Sequence, residues 1–281
     1  YNGLGEIHYL QGNLYKALEG FEGAIRLDPG MAGAYNSLGW TYYYLNEPDK
    51  AFEAFQEAIR LDPSLAEAYN GLGWGFIERE QLDEAVEAFQ KAIRIGSSLA
   101  YAYDGLGWAY YYQDEPDKAF EAFQEAIRLD PSLTEAHYGL GLIYHDGGEL
   151  GKAIEELQEA IRLDPDLADA HNGLGWIYYF QGELDNAIEQ FQEAVRHDQR
   201  LADAHFGLGL AYHLQGELDK AIREFQEIIR LDPDLVDARL SLGWAYHHQG
   251  EQDQAVEEFQ EAIRLNPSSA NAYEGLGFAY L

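Results

Sequence analysis

The chain has 281 residues and no cysteine, and its 18 Lys and Arg face 50 Asp and Glu, for a formal charge of −32. That excess of acid argues against nucleic acid and anionic membrane surfaces as partners. The lack of cysteine excludes disulfides and thiolate chemistry, and no apolar run reaches the length a bilayer requires.

Along the chain the dominant signal is a period of 34 residues. Pro29, Pro63, Pro131, Pro165, Pro233 and Pro267 share one phase, with Ser97 and Gln199 in the two vacancies. Leu-Gly pairs from Leu4-Gly5 to Leu276-Gly277 share another, and no insertion breaks either series. A fixed period of this length marks a supersecondary unit that buries its apolar face only against copies of itself. The expected division is one continuous array over 1–281, with units 1–31, 32–65, 66–99, 100–133, 134–167, 168–201, 202–235 and 236–269 and a partial unit 270–281. Both ends fall inside a unit, so a piece of a longer protein is expected, and no targeting signal or compartment is legible.

Unit 32–65 shows the elements. Apolar residues at helical spacing predict helix A over 33–45, a turn at Asn46-Glu47-Pro48, and helix B over 48–61 with Pro48 at its first position. Pro63 stops helix B, and Ser64 to Glu67 reads as a capping box opening the next helix A. Ser132 to Glu135 repeats the box, and Asp166 to Asp169 and Asp234 to Asp237 are acidic variants. Residues Glu47 to Leu65 recur identically as Glu115 to Leu133, a duplicated block. Glycine inside a helix costs about 1 kcal/mol against alanine, so Gly39, Gly73, Gly107, Gly141, Gly175, Gly209 and Gly243 require an offset. The expected one is close approach of helix A to helix B at Ala51, Ala85, Ala119, Ala153, Ala187, Ala221 and Ala255. Phe21, Phe55, Phe89, Phe123, Phe191, Phe225 and Phe259, with Leu157 in the remaining copy, are expected to fill the space between repeats.

The pattern Tyr35-x-x-Leu38-Gly39-x-x-Tyr42, then Ala51-x-x-x-Phe55, Ala58 and Pro63, resembles the tetratricopeptide repeat (TPR) signature and recurs in every unit. The resemblance implies an all-α fold: an α-solenoid forming a right-handed superhelix of 34-residue helix-turn-helix units, with the A helices lining a concave groove. Departures are local. His137, His171, His205 and Arg239 take the Tyr35 position, and Gly96-Ser97-Ser98 replaces Asp-Pro-Ser, changes expected to loosen individual joints.

In that family the second, fifth, ninth, twelfth and thirteenth positions of each unit face the groove. Here the ninth holds Trp40, Trp74, Trp108, Trp176 and Trp244, every tryptophan of the protein. The twelfth adds Tyr43, Tyr111 and Tyr179, the fifth Asn36, Asn70 and Asn172, and the second an acidic rim of Glu67, Glu135, Asp169, Asp203 and Asp237. Two readings of the Trp column stay open: packing between A helices, or an aromatic floor for a ligand. The family's carboxylate clamp is not carried over, since its positions hold Ser37, Trp40, Gly71 and Glu67.

No catalytic constellation emerges. Gly71-x-Gly73-x-Gly75 lacks the strand and spacing of a dinucleotide loop, and His137/His145 and His205/His213 are too far apart along a helix to chelate a metal. No cofactor or metal is expected, whereas the column His137, His171, His205 invites a pH response. The expected function is a non-enzymatic scaffold binding an extended peptide or helix, basic or neutral with apolar anchors. The alternatives are head-to-tail self-association into a filament, with Tyr1, Leu4 and Ile7 at one end meeting Leu276, Phe278 and Tyr280 at the other, or glycan stacking on the aromatic and Asn lining.

Overall fold

Helix boundaries follow the period. A computed structural model describes residues 1–96 and 99–281; the loosened joint expected at Gly96-Ser97-Ser98 falls on Ser97 and Ser98, outside the described residues. Among those described there are seventeen helices and no strand. The chain divides into two compact units, Tyr1–Ile143 and Tyr144–Leu281, and the boundary falls inside a helix. The first unit holds α1 (Asn2–Leu10), α2 (Leu14–Leu27), α3 (Ala32–Tyr44), α4 (Pro48–Leu61), α5 (Ala66–Ile77), α6 (Leu82–Ile95), α7 (Ala100–Tyr112), α8 (Pro116–Leu129) and most of α9 (Thr134–Asp146). The second holds α10 (Leu150–Leu163), α11 (Ala168–Gln181), α12 (Leu184–His197), α13 (Ala202–Leu214), α14 (Leu218–Leu231), α15 (Val236–Gln249), α16 (Gln252–Leu265) and α17 (Ala270–Ala279).

Odd-numbered helices are the A helices and even-numbered ones the B helices. A B helix buries a single stripe, such as Ala51, Ala54, Phe55 and Ala58 in α4, the spacing of one helical face. An A helix is enclosed on more sides: α7 buries every residue from Asp104 to Ala109 as well as Ala100 and Ala102. Consecutive helices pack from α1 to α8 and from α10 to α17, and in addition A helices touch the next A helix, as in α3·α5, α5·α7 and α13·α15. Among the described residues no two B helices do so. Within each unit the A face is therefore the tightly wound, concave side.

The capping boxes are not formed. The residue preceding α5 is Leu65, without a side-chain cap, and Ser64 instead turns back: its backbone N–H and its hydroxyl both donate to Asp62 Oδ1, at 2.9 and 2.6 Å. Ser132 does the same with Asp130, and the N–H groups of Asp166 and Asp234 reach Asp164 and Asp232. The Asp-Pro-Ser and Asp-Pro-Asp stretches are Asx turns, in which the carboxylate two residues earlier outcompetes the cap. Ser269 does cap its helix, accepting from Ala272 N–H at 3.3 Å.

The glycines face phenylalanine rather than the alanine series. A Cβ on Gly39 would lie 2.6 Å from the Phe55 ring, and one on Gly71, in the following A helix, would overlap the same ring from the other side. Phe89 sits likewise between Gly73 and Gly105, Phe123 between Gly107 and Gly139, and Phe259 between Gly243 and Gly275. Each ring, fully buried, is a wedge shared by two A helices. Two helix-interior glycines per wedge cost about 2 kcal/mol of propensity; burying a phenyl that its truncation would forfeit at about 3–5 kcal/mol offsets this.

Candidate functional site

Each tryptophan of the ninth column meets, edge to face, the phenyl wedge of its own repeat. Ring centroids lie 5.3 Å apart for Trp40–Phe55, 5.8 Å for Trp74–Phe89, 5.3 Å for Trp108–Phe123, 5.3 Å for Trp176–Phe191 and 5.4 Å for Trp244–Phe259. One edge of every indole is therefore core packing. Trp40, Trp74, Trp176 and Trp244 keep part of their surface open. Trp108 does not: it is 8% exposed, with Tyr112 at 5.9 Å and Tyr138 at 5.8 Å. The anchoring role expected of Trp108 is corrected to packing, because aromatic neighbours at Tyr112 and Tyr138 close over it.

In the unit Tyr1–Ile143 the concave face holds a cavity of about 540 Å³. Six expected groove residues line it: Asn36, Trp40, Tyr43, Glu67, Asn70 and Trp74, and Glu135 adds its rim carboxylate. Tyr9, Tyr44 and Asp104, at twelfth, thirteenth and fifth positions of the expected groove face, line it too, whereas the sequence reading missed Leu99 and Tyr101. Tyr101 stands at a second position, where most copies carry an acid, and that break in the column was the signal available. Tyr111 does not line the cavity. A second hollow of about 300 Å³, between Glu6, Tyr9, Leu10, Phe21, Ser37 and Trp40, adjoins it through Tyr9 and Trp40.

The electrostatics of this groove are one-sided. Among the described residues no Lys or Arg lines it. In α4 and α8 an arginine grips the glutamate one turn back, Arg60–Glu57 and Arg128–Glu125, and Lys50 and Lys118 pair with Glu47 and Glu115. Burial, and then the neighbouring Glu78, push the Tyr43 phenol up to about 12, so it stays a neutral donor. Asp104 is the outlier. Burial, reinforced by Glu135, drives its carboxyl well above the usual range against the pull of a hydrogen bond from the Trp108 indole. Its Oδ1 is enclosed without a partner, as are the Oδ1 atoms of Asn36, Asn70 and Asn172 in the same column.

In the unit Tyr144–Leu281 the groove positions are engaged with one another. Asn172 Nδ2 and Trp176 Nε1 both donate to Asp203 Oδ2, at 2.8 and 2.7 Å, so Asp203 is not the free steering acid expected. Tyr179 packs on Trp176 at 5.5 Å. Asp169 is raised by burial and by Asp198. Trp244, with Asp237, lines a smaller hollow of about 320 Å³. The buried histidines fall within the joints: His137, His171 and His205 are all enclosed. His213 Nε2 lies 2.7 Å from His248 Nδ1, the rings stacked. Tyr1, Leu4, Ile7, Phe278 and Tyr280 are exposed and Leu276 is half-buried. Among the described residues no three His, Asp or Glu side chains gather to hold a metal ion, and no helix is long and apolar enough to cross a membrane.

The helical hairpins, the phenyl wedge and the A-helix groove define a repeat solenoid, and family models agree. A TPR repeat model matches residues 107–147, 141–182 and 243–281, and tetratricopeptide repeat models match 32–65, 66–95, 172–236 and 224–257. The chain belongs to the tetratricopeptide repeat family. No curated protein matches it. Among solved structures it is similar to the Cut9–Hcn1 hetero-tetramer of the APC/C, with a TM-score of 0.78 and 19% identity over 99% of this chain and 55% of that one. The chain thus spans about half the length of that relative, and the likeness is one of fold. YrrB, a TPR protein with an unusual peptide-binding site, matches with a TM-score of 0.59 and 26% identity, over 67% of this chain and 97% of its own. MamA matches with a TM-score of 0.55 and 32% identity, over 62% of this chain and 95% of its own.

Proposed function

We propose that the chain is a non-enzymatic scaffold whose unit Tyr1–Ile143 binds an extended peptide in the A-helix groove. The observation that carries this reading is the convergence of Trp40, Trp74 and Tyr43 with the amides of Asn36 and Asn70 around one cavity of about 540 Å³. Half-open indoles supply apolar anchoring, and the amides supply hydrogen bonds to a peptide backbone, the division of labour found in binding clefts. The likeness to YrrB, which has a peptide-binding site, supports the same class of ligand. Trp108, Tyr111, Tyr179 and the rim acids Asp169, Asp203 and Asp237 are left out of this proposed site, for the positions described above.

The test uses peptides selected from a random library on the whole chain. Trp40→Ala and Trp74→Ala are each expected to weaken binding by about 2 kcal/mol while far-UV helicity persists. Trp108→Ala is expected to lower the melting temperature and leave the affinity of the folded protein unchanged. Unaltered affinity in both Trp40→Ala and Trp74→Ala overturns the proposal.

A further inference from the structure

We infer that Asp104 and Glu135 form the seat for a cationic side chain, an arginine or lysine of the bound peptide, at one end of the groove in the unit Tyr1–Ile143. This deepens the groove reading and rests on it. A fifth-position residue on one A helix stands beside the second-position residue of the next. In α11 and α13 that juxtaposition is a donor meeting an acceptor, Asn172 Nδ2 on Asp203 Oδ2 at 2.8 Å, with the Trp176 indole as a second donor. In α7 and α9 the same two places hold carboxylates, Asp104 and Glu135, which repel each other through their charges. Both line the 540 Å³ cavity. Asp104 is only 4% exposed, and its Oδ1 has no hydrogen-bond partner.

Burial disfavours the charged form of Asp104 and the neighbouring Glu135 adds repulsion, so the site favours a proton on Asp104 or an added cation. Among the described residues no Lys or Arg lines the cavity, and Lys50, Arg60, Lys118 and Arg128 of the B helices α4 and α8 are held by their own glutamates. Trp74 and Tyr101 line the same cavity, aromatic side chains of the kind that attract a guanidinium or ammonium group. A basic side chain entering there meets two carboxylates and an aromatic wall, and it provides the countercharge that Asn172 makes unnecessary in the second unit.

The experiment selects peptides from a random phage-displayed library on the full chain and on Asp104→Asn, which mimics the Asn172 arrangement and should fold at least as well. Peptides retained by the wild-type chain are expected to be enriched in Arg or Lys. Exchanging that residue for citrulline or norleucine in the synthetic peptide should weaken wild-type binding at least about tenfold, as loss of one partner of a desolvated charge pair does. The same exchange should change binding to Asp104→Asn less than about twofold, since the charge pair is already broken there. Glu135→Gln, at an exposed helix start, provides a second variant with the same expectation. If peptides are selected without basic enrichment, or if the exchange weakens all three proteins equally, this inference falls and the groove reading stands. If nothing is retained by the wild-type chain, both fall.

Discussion

One position of the repeat is solved in two ways in the two units. In Tyr1–Ile143 the fourth residue of helix A is Tyr35, Tyr69 or Tyr103 as far as α7, with the buried Ala54, Ala88 or Ala122 nineteen residues later in helix B, and it becomes His137 only in α9, where the unit ends. In Tyr144–Leu281 the same pair becomes His171 with Gln190, His205 with Glu224, and Arg239 with Glu258, hydrogen-bonded at 2.8, 2.7 and 2.9 Å. A large ring beside a methyl fills the joint without desolvating a charge. The polar pair fills similar space with two medium side chains and stabilises only while both partners are present. The positions therefore vary as a couple, and the second unit carries charge where the first carries bulk. The wedge shows the same contrast: the first unit uses phenylalanine throughout, whereas the second has Leu157 in one copy.

The wedge gives the largest expected difference. Gly105→Ala places a methyl into the Phe89 ring, and overpacking of that kind destabilises by about 2 kcal/mol. Gly173 is the corresponding residue against Leu157, and a Cβ there would sit 3.6 Å from the nearest methyl, an ordinary contact. Gly173→Ala should instead gain about 0.5–1 kcal/mol of helix propensity. Urea midpoints of the two variants moving in the same direction would break the wedge as the reason for these glycines.

The polar joints give a smaller, pH-dependent effect. The hydrogen bond to Glu224 raises His205 above its usual value despite burial. A base raised on folding contributes stability that is complete below its unfolded pKa and lost as pH rises through the folded one. His213 is lowered, by burial and then by His248, so its contribution runs the other way, present at high pH and lost as pH falls. The two slopes oppose each other in the wild-type chain and must be separated. In a His213→Tyr background, stability should decline with rising pH above neutrality, and adding His205→Tyr with Glu224→Ala should flatten that decline. At mildly acidic pH, where His205 is protonated and a carboxylate still ionised, Glu224→Ala alone should cost about 2 kcal/mol, as loss of a charged hydrogen bond does. A decline that survives the paired replacement would place its origin elsewhere.

Much of this was legible because the period repeats each local signal eight times over. The helix pairs, Pro48 at the start of α4 and the Phe core followed from spacing alone. The capping boxes were misread because Ser64 has two competing partners, and only geometry shows that Asp62 wins. The groove was half legible. Its column of aromatic and Asn residues stands in the sequence, yet identical phases do not have identical surroundings: Trp108 is enclosed by Tyr112 and Tyr138, whereas Trp74 opens into the cavity. Those differences come from neighbours one repeat away, which a repeat-averaged reading smooths out.

The smallest expected effect lies in the turn between helix A and helix B, where one residue takes a left-handed conformation. The second unit uses Gly148, Gly182, Gly216 and Gly250 there, with φ of 74, 77, 78 and 87°. The first uses Gly12 once and then Asn46, Glu80 and Asp114, at φ of 58, 56 and 59°. Asn and Asp adopt this region with little strain because their short polar side chains bond locally. Glu80 lacks that compensation and bears about 1 kcal/mol of backbone strain. Glu80→Gly trades the strain for extra freedom of the unfolded chain, so the net gain should be about 0.5 kcal/mol, against nearly none for Asn46→Gly. The reciprocal change, Gly182→Glu, should lose a similar amount in the second unit. Thermal melts of the three variants order them, and a Glu80→Gly protein no more stable than wild type would show that the turn is relaxed around Glu80 by contacts the glycine cannot make.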